Sequence, residues 1–277
     1  MTHTSRVSRR GLVRTAVLAG SAAVLAADAA VGGNAEPIMK RDVTPRAAGS
    51  ARPTGQPVAA RATRPSPAGL PVQSRPIYTL AEYRAVLGGP AFPSHAVALT
   101  LDDGPHPVWT PKMLKLLDKY HVPATFCLIG NQVRGHESVA RSVVAAGHNV
   151  ANHTYSHLTD LPTLSSPEMN KEIGWAQDKI HTATGFTPRL FRSPGGSWSS
   201  ELFAKTAQAG LVPIDWSDDP RDWSRPGVAS IVSHLLAAKP GQILLCHDGG
   251  GDRSQTYAAL QTVIPALLAK GYTFVSL

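Results

Sequence analysis

From Ala96 to the C-terminus, short apolar runs alternate with longer stretches in which apolar residues recur every three or four positions. The first run, Ala96–Asp103, reads as a buried strand that ends in two carboxylates. Next, Thr110 caps a helix with Pro111 at its first position and Met113, Leu116, Leu117 and Tyr120 on its apolar face. A strand over Val122–Ile129 is followed by a helix through Val139, Val143 and Val144 that stops at Gly147, then a short strand over His148–Ala151. Ser166-Pro167 opens a helix carrying Met169, Ile173, Trp175, Ala176 and Ile180 towards Gly185. The pattern continues as strand Arg189–Arg192, helix Ser200–Ala209 closed by Gly210, strand Leu211–Asp215, helix Val228–Ala238 and strand Gln242–His247. Helix Thr256–Ala269, closed by Gly271, and strand Tyr272–Val275 complete it. Such alternation predicts an α/β protein with a parallel sheet, and about seven units in roughly two hundred residues predict a distorted (β/α) barrel. An open doubly wound sheet is the rival. In both, the chemistry collects at the carboxyl ends of the strands.

The first third of the chain has a different character. Ser8-Arg9-Arg10-Gly11 precedes an apolar stretch from Thr15 to Ala27 with small residues after it, which resembles a twin-arginine export signal over residues 1–35. Residues 36–77 are rich in Pro, Ala and Arg with almost no large apolar side chains, so an extended linker is expected there. Eleven basic residues precede Tyr78 against three acidic ones, an excess that accounts for the whole net charge of +8. The remaining part, residues 78–277, is therefore formally neutral, and the basic pI is no argument for nucleic-acid binding. Cys127 and Cys246 each lie inside an apolar strand and are expected as buried free thiols rather than a disulfide.

Polar clusters stand at successive strand ends. Asp102 and Asp103 are adjacent, so they can share a site only where the strand breaks, and Gly104-Pro105 supplies an expected break. His153 and His157 are spaced to share one face of a helical turn, and neutral imidazoles with one carboxylate suit a divalent cation. Further on come Arg192-Ser193-Pro194-Gly195-Gly196, then Asp215 to Trp223, and Leu245-Cys246-His247-Asp248. Each has an ordinary account alone, as a turn, a surface ion pair or a core residue. Strand parity puts Leu245 and His247 on one face and Cys246 on the other.

These five clusters, in order, resemble the polysaccharide deacetylase family, carbohydrate esterase family four, over about Ala96 to Leu277. The resemblance implies a hydrolase that removes N-acetyl groups from a β-linked glycan of chitin or peptidoglycan type, on a distorted barrel. It implies Asp103, His153 and His157 as metal ligands and Asp102 as the general base, oriented and ionised by Arg192. It implies His247 as the general acid with Asp222 behind it, and Trp223 and Leu245 as the wall around the acetyl methyl. The backbone N–H of Gly195, beside the metal, is an expected oxyanion donor. The implied cofactor is a divalent metal, usually zinc and sometimes cobalt. Leu101 replaces an aromatic common in the family, and Gly195 replaces a bulkier residue, opening one side of the groove. Expected partners are a polysaccharide substrate, with no nucleic acid, no stable membrane insertion after export and a monomeric chain, secreted or in the cell wall. Rival readings are an acetylxylan esterase on the same scaffold, a non-catalytic carbohydrate-binding relative, and an iron oxygenase using the two histidines and one aspartate.

Overall fold

A computed structural model describes residues 71–277. The expected export signal and most of the expected linker lie outside the described residues. Within them, no helix is long and apolar enough to cross a membrane.

The elements in chain order are α1 (Leu80–Leu87), β1 (Ala96–Gly104), α2 (Trp109–Tyr120), β2 (Thr125–Leu128), α3 (Gly130–Val133), α4 (Glu137–Ala145) and β3 (Asn149–Asn152). They continue as α5 (Ser166–Thr184), β4 (Leu190–Phe191), α6 (Ser200–Gln208), β5 (Val212–Pro213), α7 (Val228–Leu235), β6 (Ile243–His247), α8 (Ser254–Ala269) and β7 (Thr273–Val275). The helices begin where the sequence supplies caps. Ser165 and Glu168 form a capping box at α5, Thr79 and Glu82 another at α1, and Gly185 ends α5 at φ +74°. Thr110, expected as the cap of α2, lies inside that helix instead. Its hydroxyl accepts from His106 N at 2.8 Å and donates to Asp248, so it is committed to a strand-end acid rather than to its own helix.

All strand pairs are parallel, in the order β5-β4-β3-β2-β1-β6, with β7 pairing the first residues of β1. The sheet curls into a distorted barrel whose seam lies between β5 and β6. There the expected linker is corrected at its end. Ile77 is buried and bridges Ile214 beside β5, while Thr79 bridges Gln242 beside β6. Farther along, Asp218 bridges Leu244 across the same seam. Three residues after a Pro-rich run carry too little periodicity to announce a strand, and only the barrel's open seam gives them a partner.

Parity along β1 sorts the core. Val97, Leu99 and Leu101 face the helices, packing with Leu244 and Cys246 of β6 and Phe126 and Leu128 of β2. Ala96 and Ala98 face inward with Cys127, Ala151 and Ile243. Continuing inward along β1 come Thr100 and then Asp102, so the lumen turns from apolar to polar towards the carboxyl ends. Leu101 fills a helix-facing core position. Both cysteines are free and buried.

Candidate active site

The two carboxylates of β1 reach one site through a bulge. Asp102 pairs in register with Cys127, but Gly104 pairs with Leu128, leaving Asp103 as the extra residue at φ +70°. The break therefore falls at Asp103 itself, one residue before the expected Gly104-Pro105, because the bulge turns a side chain that parity would send outwards. The glycines around it leave room for this. A Cβ on Gly249 would lie 2.0 Å from Asp103 O, and one on Gly104 would lie 2.6 Å from Asp248 Oδ1.

His153 and His157 stand after β3 on a loop, not on the expected helical turn. Thr154 and His157 have φ of +64° and +59°. Side chains hold the loop where no helical ladder does. Asn152 Oδ1 accepts from Thr154 N, Thr154 Oγ1 accepts from His157 N, and Glu172 of α5 accepts from Tyr155 N and Ser156 N. The result still brings the two imidazoles to Asp103. His157 Nε2 is 3.1 Å and His153 Nε2 3.6 Å from Asp103 Oδ1.

His153 Nδ1 lies 2.8 Å from the carbonyl of Arg192, which can only accept, so that nitrogen carries the proton and Nε2 presents a lone pair. Asp103 Oδ1 is buried and has no hydrogen-bond donor. Lone pairs of Asp103, His153 and His157 thus converge with ligand atoms within 4.8 Å of one another, an arrangement that fits a divalent cation.

Asp102 is turned differently. Its Oδ1 accepts from Arg192 Nη1 at 2.7 Å, and Arg192 also donates to Thr100 Oγ1 and to the carbonyl of Asp215. Burial pushes the Asp102 carboxyl up, but Arg192 and the neighbouring imidazoles outweigh it, and the group ends below its ordinary range. Asp103 is lowered in the same sense, burial being outweighed by the neighbouring imidazoles of His153 and His157. Asp248 meets no such partner. Burial raises it to about 7, against a hydrogen bond from Thr110.

Register places His247 beside Asp102 across the β1–β6 pair. Its Nδ1 is 2.7 Å from Asp222 Oδ1, and Asp222 Oδ2 accepts from His247 N and from the Thr256 hydroxyl. Burial lowers the His247 imidazole, but the Asp222 hydrogen bond and charge more than offset it, leaving it raised. A cavity of about 440 Å³ joins these groups; Leu245, Trp223 and Gly195 line it together with Asp102, Asp103, His153, His157 and His247. Trp223 is half-exposed with Arg221 5.3 Å above its ring, so it forms a rim rather than a sealed wall. Gly195 sits at φ +65°, and a Cβ there would meet nothing closer than Thr159 at 3.8 Å, so the groove is open on that side.

The candidate site residues named from the sequence are thus gathered at one barrel end. Thr100, Glu172, Thr256 and Arg253 were not among them. Thr100 was within reach, since it stands two residues before Asp102 on the same strand face. Glu172 reads as one more polar residue on an amphipathic helix.

A family model described as polysaccharide deacetylase matches residues 90–214. A chitooligosaccharide deacetylase of Bradyrhizobium is 44% identical over 192 residues, covering 65% of this chain and 87% of that protein. A peptidoglycan-N-acetylglucosamine deacetylase of Bacillus cereus is 43% identical, covering 65% and 85%. Among solved structures, a CE4 family pseudoenzyme from Bacillus anthracis superposes with TM-score 0.64 at 30% identity, covering 74% of this chain and 68% of that one.

Proposed function

The chain belongs to the polysaccharide deacetylase family, carbohydrate esterase family four, and we propose that it hydrolyses N-acetyl groups on a β-linked glycan of chitin or peptidoglycan type. The fold alone is no argument for turnover, since a similar structure is a pseudoenzyme. One observation carries the reading. Asp103 Oδ1 is buried without a donor between two imidazole nitrogens, while Asp102, next in sequence, is kept for Arg192.

In this mechanism Asp103, His153 and His157 would hold a divalent cation, a ligand set that suits zinc. Such an ion supplies polarisation of the acetyl carbonyl and a more acidic water. Asp102, ionised beside Arg192, takes the proton of the attacking water. The Gly195 N–H, on the cavity wall, would donate to the oxygen on which charge develops. His247, whose hold on a proton is strengthened by Asp222, gives a proton to the departing sugar nitrogen. Leu245 lines the cavity beside the methyl group, with Trp223 at its rim.

The test is acetate release from N-acetylglucosamine oligomers and from acetylated xylan, before chelation, after it and after add-back of zinc or cobalt. Release from the oligomers that is lost on chelation and restored by metal is expected. Preferential release from xylan would make the protein an esterase, and activity indifferent to chelation would overturn the metal-dependent reading.

A further inference from the structure

Arg253, at the start of α8, is 5% exposed and borders the same cavity as Asp103 and His157. Its Nε donates to the Gly249 carbonyl at 2.5 Å and its Nη1 to the Trp223 carbonyl at 3.3 Å. Among the described residues no carboxylate comes within ion-pair distance of it. A guanidinium has five N–H donors, so three are left without a protein acceptor. A cation this buried and without an acid is costly unless other oxygens serve it.

The glycines before it leave its free edge uncovered. A Cβ on Gly250 would meet Arg253 Nη2 at 3.1 Å and Asp103 Oδ2 at 2.4 Å, so the two groups flank the same small space. A Cβ on Gly251 would meet nothing but Nη2, at 3.9 Å. The fork thus opens onto the cleft beside Asp103.

We propose that Arg253 contacts substrate and sets specificity, its free N–H donors taken by hydroxyl or ether oxygens of the sugar that carries the acetyl group. The assignment rests on the glycan reading above. It predicts that the residue matters more for an acetylated sugar than for an acetyl group on a carrier without hydroxyls.

The experiment compares kcat/KM for N-acetylglucosamine oligomers with that for 4-nitrophenyl acetate, in zinc-loaded wild type, Arg253→Ala and Arg253→Lys. In Arg253→Ala the glycan-to-aryl-ester ratio is expected to fall about tenfold or more, mainly through KM, as for a lost charge-assisted hydrogen bond. Arg253→Lys, which keeps the charge without the fork, is expected to fall between, and it carries the test if the alanine variant does not fold. Equal losses on both substrates would mean that Arg253 only staples Gly249 to Trp223, and no loss would mean no role; either overturns the assignment. Wild type that cleaves the aryl ester and no glycan would overturn the deacetylase reading itself, and the glycan contact with it.

Discussion

Two aspartates flank one buried guanidinium and are shifted in opposite directions. Asp102 and Asp215 are 2% and 3% exposed, and both touch Arg192. Asp102 offers its carboxylate to Nη1, whereas Asp215 offers Nη2 only its backbone carbonyl. The carboxylate of Asp215 is turned to the indole N–H of Trp198, and its Oδ1 finds no partner. Burial therefore raises Asp215 to about 6, against the Trp198 hydrogen bond and the Arg192 charge, while Asp102 is held below its usual range. Proximity to a cation does not by itself ionise an acid; the atom presented to the cation does. The same fold thus lowers one acid and raises the other to about 6, so that Asp215 holds its proton to higher pH than Asp102 does.

Breaking the ionised side has the largest expected effect. Asp102→Asn keeps the shape and removes the proton acceptor, so kcat on the glycan is expected to drop about 10²- to 10⁴-fold. Its metal content by elemental analysis is expected to stay at the wild-type level. A parallel loss of metal would move Asp102 into the ligand set.

Arg192→Met makes Asp102 resemble Asp215 by removing its counter-charge. Burial then dominates, so the acid limb of the kcat/KM–pH profile is expected to move to higher pH. Leaving that acid uncompensated is expected to cost about 3–5 kcal/mol of stability at neutral pH. An unmoved acid limb would show that the proton acceptor lies elsewhere.

The smallest effect belongs to Asp215→Asn. A carboxyl with a raised folded-state pKa binds its proton more tightly when folded, so it lowers stability progressively as pH climbs from about 4 to about 6 and fully above that. The asparagine variant is therefore expected to gain in Tm relative to wild type across that window and then level off. A difference independent of pH would mean that Asp215 has no shifted titration to remove.

What the sequence makes legible follows the range of the interaction. Strand parity along β1 and β6 places Asp102, Leu245 and His247 inward and Cys246 outward, because parity needs only neighbouring residues. The family resemblance supplies the grouping of clusters up to 145 residues apart, which no local pattern encodes. Local geometry without a periodic signature stays hidden. The bulge at Asp103 has no hydrophobic pattern of its own, and the loop holding His153 and His157 depends on Glu172 across from it. Ile77 acquires its place from Ile214, far along the chain. Arg253 follows three glycines and Asp252 and reads as a loop residue; its place as a buried cation on the cleft exists only once Gly249 and Trp223 are brought beside it.

The division of labour between two adjacent aspartates is tested most directly by anomalous diffraction from crystals loaded with zinc. The account predicts one peak bonded, at roughly 2.0–2.2 Å, to Asp103, His153 and His157, with the Asp102 carboxylate outside that shell and still on Arg192. A peak bonded to Asp102, or one lying away from the two imidazoles, would contradict it.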